Sequence, residues 1–363
     1  LSRQNIPILL FNDSSTNDTY IQTFHTLSAG ELTQWVKRQH GTGVSLAEYS
    51  EQNCCVTPAA KTGSASLAVI GQPLDTVDPL DGLLNACNTL LAEGGTICCM
   101  AVPSAVKQER LRNMMPWGVR RTAVGLHYLW HRVGAKMRLT RNLYHLVTGG
   151  HHRSMSRVEI LGRMKHAGFD ISEQRMRNGV LALQASRHGQ PITEHPHTEA
   201  IIGLPRIGKD GNLIRVYKVR TMYAYSEFLQ EEMYTRHHLT KGGKIARDYR
   251  ITTPGRWLRS HWLDEWPMLF NLLRGEIKLV GVRPLSEHYF HLYSEEMQTL
   301  RTQCKPGLLP PFYADRGNID SLDDIQANER RYLEAYRRHP LRTDWHYLCL
   351  IMGNIMLHHK RSA

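Results

Sequence analysis

Gly255-Arg256-Trp257-Leu258-Arg259-Ser260-His261-Trp262-Leu263-Asp264-Glu265-Trp266-Pro267 gathers cations, tryptophans and an acidic pair into one short run. Leu258, Trp262 and Trp266 recur every four residues, which predicts a buried helical stripe. Pro267 lacks an N–H and disfavours helical angles at the residue before it. The spacing therefore predicts one helix ending near Glu265 and another starting at Pro267, with Asp264-Glu265 at the junction. A bare Asp-Glu dipeptide is most often a solvated helix end. Beside Arg259 and between tryptophans, however, two carboxylates are costly to bury without a cation or a catalytic duty. Such a pair can divide labour: one carboxylate attacks phosphorus and forms an aspartyl phosphate, while the other holds Mg2+ or handles a proton.

Upstream, Arg206-Ile207-Gly208-Lys209-Asp210-Gly211-Asn212 has the turn residues of a hairpin. It leads into the alternating strand Ile214-Arg215-Val216-Tyr217-Lys218-Val219-Arg220. Lys218 and Arg220 lie two apart and share a face, which suits a diphosphate, although a solvated strand face is equally common. Tyr223-Ala224-Tyr225-Ser226-Glu227-Phe228-Leu229 reads as the start of a helical stretch with core aromatics, Glu329 to Arg338 as a charged helix with a solvated face, and Pro310 to Asp315 as a rigid loop that is structural or covers the site.

The full chain has 363 residues, 41% of them hydrophobic and 21% charged, and a formal net charge of +12. That length suggests two domains, and the composition excludes disordered, collagen-like and low-complexity classes. The longest apolar run, Tyr347 to Leu357, is shorter than the roughly 20 residues a membrane-spanning helix needs. The 7 cysteines are odd in number with no CxxC spacing, so reduced structural thiols in a cytoplasmic protein are expected. The start at Leu1 shows no signal-peptide pattern, and without an initiator Met a trimmed chain or a fragment is the expectation.

Charge is unevenly placed: residues 1–100 sum to −5, residues 101–165 to +11. The basic, aromatic stretch 126–145 suits nucleic acid, an anionic membrane surface or an acidic substrate, or is simply an exposed face. No zinc-finger, homeodomain or RNA-recognition signature accompanies it, which argues against nucleic acid. The pairs His151-His152, His237-His238 and His358-His359 would not share a helix face, which argues against a metal site.

In the first half, Ile6 to Phe11, Ser66 to Ile70 and Thr96 to Val102 read as strands, and Glu31 to Gln39 and Asp81 to Leu91 as helices. Strand, helix, Gly94-Gly95, strand is the rhythm of an open parallel sheet. Leu90 to Ile97, Ser154 to Leu161 and Ala167 to Ile171 resemble the later half of a Rossmann-like methyltransferase domain that uses S-adenosylmethionine. The glycine-rich cofactor loop is missing; Gly41-Thr42-Gly43 is the sole candidate and follows a helix-like stretch. A degenerate domain kept for structure or docking is the expectation, over an active methyltransferase.

The second half resembles the bacterial sugar transferases, monotopic phosphoglycosyl transferases that move a phosphosugar from a nucleotide sugar to polyprenyl phosphate. The resemblance runs through Arg206 to Gly211, Tyr217 to Met222, Asp248 to Thr252, Gly255 to Arg259, Leu263 to Met268, Asn271 to Glu276 and Lys278 to Pro284. It is greatest to long Bacteroidetes-type members with a methyltransferase-like region in front. The resemblance implies Asp264 as nucleophile and Glu265 as its partner, contacting Mg2+ or the transferring phosphate. It implies Arg259, Arg283 and Pro284 as substrate-binding, with Lys218 and Arg220 on the supporting strand. Arg256 and, by weaker alignment, the acidic positions Glu329 and Asp344 complete the set.

The fold class expected is α/β: a degenerate Rossmann-like domain over 1–188, a linker over 189–199 and a compact sugar transferase domain over 200–363. The function implied is transfer of a phosphosugar from a nucleotide sugar, with UDP as the expected nucleotide, to polyprenyl (undecaprenyl) phosphate at the inner membrane face. That step would initiate exopolysaccharide, O-antigen or glycan assembly, with glycan-assembly proteins as further partners. The alternative is a weakened nucleotide-sugar-binding or docking subunit. Against the family pattern, the apolar re-entrant helix before the first motif is replaced by a polar, proline-containing stretch, Gln190 to Ile202. Membrane contact would then come from 126–145 or from residues upstream. A Pro-Arg-Pro motif becomes Val282-Arg283-Pro284, and His261-Trp262 makes the pocket bulkier.

Overall fold

The computed structural model describes residues 5–12, 17–38, 45–50, 55–57, 62–116, 154–230, 248–315 and 321–358, with Val119 and Thr122. The stretches 126–145 and Gly41-Thr42-Gly43, and the pairs His151-His152 and His237-His238, lie outside them, as does His359 of the third pair. The chain divides into two compact units: 1–198 with Ala224–Gln230, and Glu199–Tyr223 with 231–363.

The first unit is built on a seven-stranded sheet, β1 (Asn5–Phe11), β2 (Ser45–Ser50), β3 (Cys55–Thr57), β4 (Ala65–Ile70), β5 (Leu91–Ala101), β6 (Phe169–Arg177) and β7 (Val180–Arg187), in the order β3-β2-β1-β4-β5-β7-β6. Helices α1 (Asn17–Thr26), α2 (Ala29–Arg38), α3 (Leu80–Leu90), α4 (Ser104–Met114) and α5 (Arg157–His166) accompany it. The apolar positions of α3 face inward as its spacing predicts: Leu83, Leu84, Cys87 and Leu90 are buried. Leu9, Phe11, Leu67, Val69, Cys98 and Met100 from three strands pack with Phe24, Leu32 and Val36 into one core.

The expected open parallel sheet is corrected here, because the sheet is mixed. Only β4 and β5 run parallel; β1 is antiparallel to both β2 and β4, and β7 to both β5 and β6. Alternating apolar runs do not encode direction, so a strand list read from sequence leaves this open. Among the described cysteines none forms a disulfide, and burial pushes the Cys87 and Cys98 thiols up to about 12.

The segment Ala224–Gln230, which the sequence reading placed within the second domain, belongs to the first unit. Tyr225 sits there with a left-handed backbone, φ 61°, and its hydroxyl donates to Asp81 at 2.6 Å. The buried Arg163 guanidinium stacks 4.1 Å from the Tyr225 ring and pairs with Asp81 and Glu159. α5 approaches closely because it carries Gly162: a Cβ there would stand 2.2 Å from the Tyr225 carbonyl oxygen. The short 3-10 turn Ser226–Leu229 takes the place of the expected helical stretch.

The second unit is a small assembly of hairpin and helices. β8 (Ile201–Ile207) and β9 (Leu213–Val219) form the antiparallel hairpin, turning through Asp210 and Gly211 at positive φ. α6 (Thr253–Ser260), α7 (Met268–Leu273), α8 (Glu287–Phe290), α9 (Glu295–Thr302), α10 (Leu322–Arg338) and α11 (Pro340–His358) follow, with the parallel pair β10 (Lys278–Val280) and β11 (Gly307–Leu309) between. Val280, Val282, Tyr293, Met297, Tyr332, Leu333 and Ile351 form its core. No helix among the described residues is long and apolar enough to cross a membrane.

Gly162→Ala forces its methyl against the Tyr225 backbone and is expected to destabilise the first unit by about 1–3 kcal/mol, whereas Gly353→Ala on α11, with open space around it, is expected to be neutral or mildly stabilising. Thermal denaturation of both variants checks the contrast.

Candidate functional site

The decisive stretch does not fold as one helix. α6 starts where the Thr252 hydroxyl accepts the Gly255 N–H at 2.9 Å, a side-chain cap, and ends at Ser260. Trp262 then takes a left-handed backbone, φ 62°, before the 3-10 turn Leu263–Glu265. This is an uncommon, costly conformation for a bulky residue, and it reverses the chain so that Asp264 turns inward. The expected stripe is thereby broken: Leu258 and Trp262 are half-buried, while Trp266 is 66% exposed and helical in backbone. Pro267 still precedes the next helix, as its missing N–H favours.

Four connections place the acidic pair. Lys218 on β9 donates to Glu265 Oε1 at 2.7 Å. Arg259 Nε donates to Thr221 Oγ1 at 2.8 Å, and the Thr221 carbonyl accepts from Thr252. Gly255 permits this contact, since a Cβ there would lie 2.1 Å from the Thr221 oxygen. Fully buried Asn271 on α7 accepts the Tyr217 N–H at 3.0 Å and donates to the Arg215 carbonyl at 2.8 Å, fixing the strand on either side of Val216. Asp248 grips Arg250 through Nε and Nη2, bracing the entry to α6.

Asp264 is buried, and its Oδ1 has no hydrogen-bond partner. Burial, and then neighbouring Glu265, push its carboxyl above the ordinary range, with Lys218 and Arg259 opposing. Lys218 is held below its usual value by burial, against the pull of Glu265, with the Arg283 charge adding to the depression. Arg283 also acts against the charge of Arg259 and Arg206. Lys218, Arg259, Arg206 and the exposed Arg283 therefore share one electrostatic neighbourhood with two carboxylates. Such a setting suits a bound diphosphate.

The other expected site residues fall differently. Arg220 lies past the end of β9 and donates to the Glu199 and Met222 carbonyls. Arg256 is exposed on α6 and Pro284 is buried in the loop after β10. Asp344 binds Lys278 at 3.0 Å and accepts from the Tyr332 hydroxyl at 2.6 Å. Glu329 is buried on α10 against Arg301, whereas Arg331, Glu334, Arg337 and Arg338 lie on the exposed face expected of that charged helix. The Pro311–Ala314 turn reaches the site's flank, where Tyr313 packs 4.5 Å from Trp262. Arg206, Thr221, Asn271 and Arg301 were missed as site or support residues; the first three stood inside quoted motifs, and Arg301 had no local signal.

One face of α7 and its lead-in is bare. Trp266, Leu269, Phe270 and Leu273 are exposed at helical spacing, Trp257 adds a second exposed tryptophan on α6, and Arg256 and Arg274 are exposed nearby in sequence.

Among the described residues no group of three or more His, Cys, Asp or Glu side chains is placed to hold a metal. Mg2+ commonly takes one or two carboxylates and completes its shell with water and substrate phosphates. A buried, unpartnered Asp264 oxygen beside Glu265 fits that mode.

Hairpin, cationic cluster and strained acidic turn together form the candidate site. Residues 192–355 match the family model described as bacterial sugar transferase. It is 32% identical over 142 residues to an undecaprenyl-phosphate galactose phosphotransferase of Salmonella typhimurium, covering 38% of this chain and 29% of the relative. It is 30% identical over 139 residues to the galactosyl transferase CpsE of Streptococcus agalactiae, covering 38% and 31%. A UDP-glucose:undecaprenyl-phosphate glucose-1-phosphate transferase of Klebsiella pneumoniae is 33% identical over 125 residues, covering 33% and 25%. The chain thus spans about a third or less of the length of these relatives.

Because burial raises the Asp264 pKa, ionising this group costs the folded state stability as pH rises through the raised value. Asp264→Asn removes that cost. The variant is expected to melt above the wild type at neutral pH, with the gap closing as pH falls into the carboxylate range; melting curves across pH read this directly.

Proposed function

We propose that the chain is a phosphoglycosyl transferase that passes a sugar phosphate from a UDP-sugar to polyprenyl phosphate, with Asp264 as nucleophile. The observation that carries this reading is the buried, unpartnered Asp264 oxygen on a strained turn beside the Lys218–Glu265 pair. An Asp264 oxygen attacks the β-phosphorus of the donor. The bond from that phosphorus to the bridging oxygen breaks, and UMP leaves with the electron pair, so the phosphosugar rests on Asp264 as a mixed anhydride. A phosphate oxygen of the lipid then attacks the same phosphorus, the Asp264 carboxylate leaves, and any proton on the acceptor passes to Glu265. Arg259, Arg283 and Lys218 hold the diphosphate and offset its charge. Mg2+, held by Glu265 and the donor phosphates, would supply further charge neutralisation. Relatives named for undecaprenyl-phosphate phosphotransfer support the acceptor class.

An acceptor that lives in a bilayer requires the site to reach one. The bare stripe Trp266, Leu269, Phe270, Leu273 directly follows the acidic pair, with Trp257, Arg256 and Arg274 beside it in sequence. Tryptophan at an interface, apolar side chains below and cations for anionic headgroups are the features of a surface-seated helix. We infer that this face rests on the inner leaflet. For the first unit we infer a structural or docking role. Rossmann-type cofactor crevices lie outside the carboxyl ends of neighbouring strands at the switch point, and antiparallel β1 and β4 put those ends on opposite edges.

Incubation with UDP-sugars, Mg2+ and undecaprenyl phosphate is expected to release UMP, and Asp264→Asn is expected to lower the rate at least about 10³-fold while remaining folded. Wild-type rates retained by that variant would remove Asp264 from the mechanism. Phe270→Glu with Leu273→Glu is expected to weaken binding to phosphatidylglycerol vesicles about tenfold or more without altering the melting temperature; unchanged sedimentation would place the membrane contact elsewhere.

A further inference from the structure

Arg301 and Glu329 form an ion pair with side chains only 4% and 1% exposed, far costlier to bury than an apolar pair of similar volume. Arg301 lies on α9 and Glu329 on α10, and the guanidinium stacks 4.8 Å from the Tyr293 ring. Its second nitrogen, Nη2, donates to the main-chain carbonyl of Arg283. Three residues from Glu329, on the same face of α10, the Tyr332 hydroxyl shares its one proton between Asp344 and the Val280 carbonyl, 3.0 Å away. Between these points the Gly281 N–H donates to Leu309 at 3.1 Å, and the Val282 carbonyl accepts from Gly307 at 2.9 Å. Each residue from Val280 to Arg283 is thus tied through its main chain, and Arg283 alone among them sends an exposed side chain outward.

We propose that Arg301, set by Glu329, is a positioning residue that holds the Arg283 backbone so that its guanidinium meets the donor diphosphate. This rests on the reading of Arg283 as a phosphate-binding cation in the proposed transferase. A lysine at 301 keeps the charge against Glu329 but, lacking the planar fork, cannot serve both partners at once. The Arg283 loop then loses one of its ties while the buried charge stays neutralised. The same geometry gives Glu329 and Tyr332 indirect roles through the 280–283 loop.

The test is a double-mutant cycle on binding of inorganic pyrophosphate by calorimetry, with wild type, Arg301→Lys, Arg283→Ala and the double variant. Arg283→Ala and Arg301→Lys are each expected to weaken binding by about tenfold or more, the worth of a charged hydrogen bond. The double variant is expected to bind no more weakly than Arg283→Ala alone, because positioning an absent side chain has no value. Losses that multiply, or a wild type that does not bind pyrophosphate, overturn the proposal. Should Arg301→Lys fail to fold, Glu329→Gln takes its place in the cycle with the same expectation. Where turnover is seen, the Arg301→Lys loss is expected in KM for the nucleotide sugar and not in KM for the lipid; a loss confined to kcat reports fewer folded molecules and contradicts positioning. Pyrophosphate binding with no UMP release from any UDP-sugar sinks the transferase reading and leaves this proposal standing.

Discussion

A lysine reaching from a strand to the half-buried member of an adjacent carboxylate pair is the contact on which the second unit depends. Lys218 and Glu265 neutralise each other at 2.7 Å, which leaves the adjacent Asp264 buried without a partner of its own for Oδ1. Two ionised carboxylates so close repel one another, and burial penalises the charge on Asp264. The surrounding arrangement offsets that cost: Arg259 is anchored on Thr221, Asn271 locks β9 to α7, and the left-handed Trp262 turns the chain tightly enough to present both acids together. Strain and desolvation gathered at one point are consistent with the nucleophilic role proposed for Asp264.

Much of the site was legible in the sequence because its chemistry is local. Asp264-Glu265, the cation on β9 and the arginine four residues after Gly255 stand in motifs whose order is itself informative. The helical stripe through Leu258, Trp262 and Trp266 was misread because periodicity assumes an unbroken helix. A positive φ at Trp262, a residue that seldom adopts one, leaves no trace in the pattern. The charged helix from Glu329 does carry an exposed face, but the burial of Glu329 itself was not legible: it finds its partner on another helix, 28 residues away in sequence, which no local window contains. Three strand positions in the first unit, those of β1, β4 and β5, followed from apolar runs, but β2, β3, β6, β7 and strand direction did not, and the parallel sheet gave way to a mixed one.

The first unit keeps a well-packed sheet while its β1 and β4 run in opposite directions where a nucleotide crevice would need them aligned. Its most elaborate polar cluster, Asp81 with Arg163, Glu159 and Tyr225, is spent on holding Ala224–Gln230, a segment drawn from within the family-matched stretch. That segment follows by two residues the Met222 bridge to Ile251, at the entrance to α6.

Intact-mass analysis of the protein after incubation with a UDP-sugar and Mg2+, with no lipid acceptor, tests the central claim most directly. The account expects one phosphosugar added per chain, mapped by peptide sequencing to Asp264, and discharged when polyprenyl phosphate is supplied. Full turnover on adding the lipid, with no adduct at Asp264 at any time before it, would contradict a covalent role for the buried carboxylate.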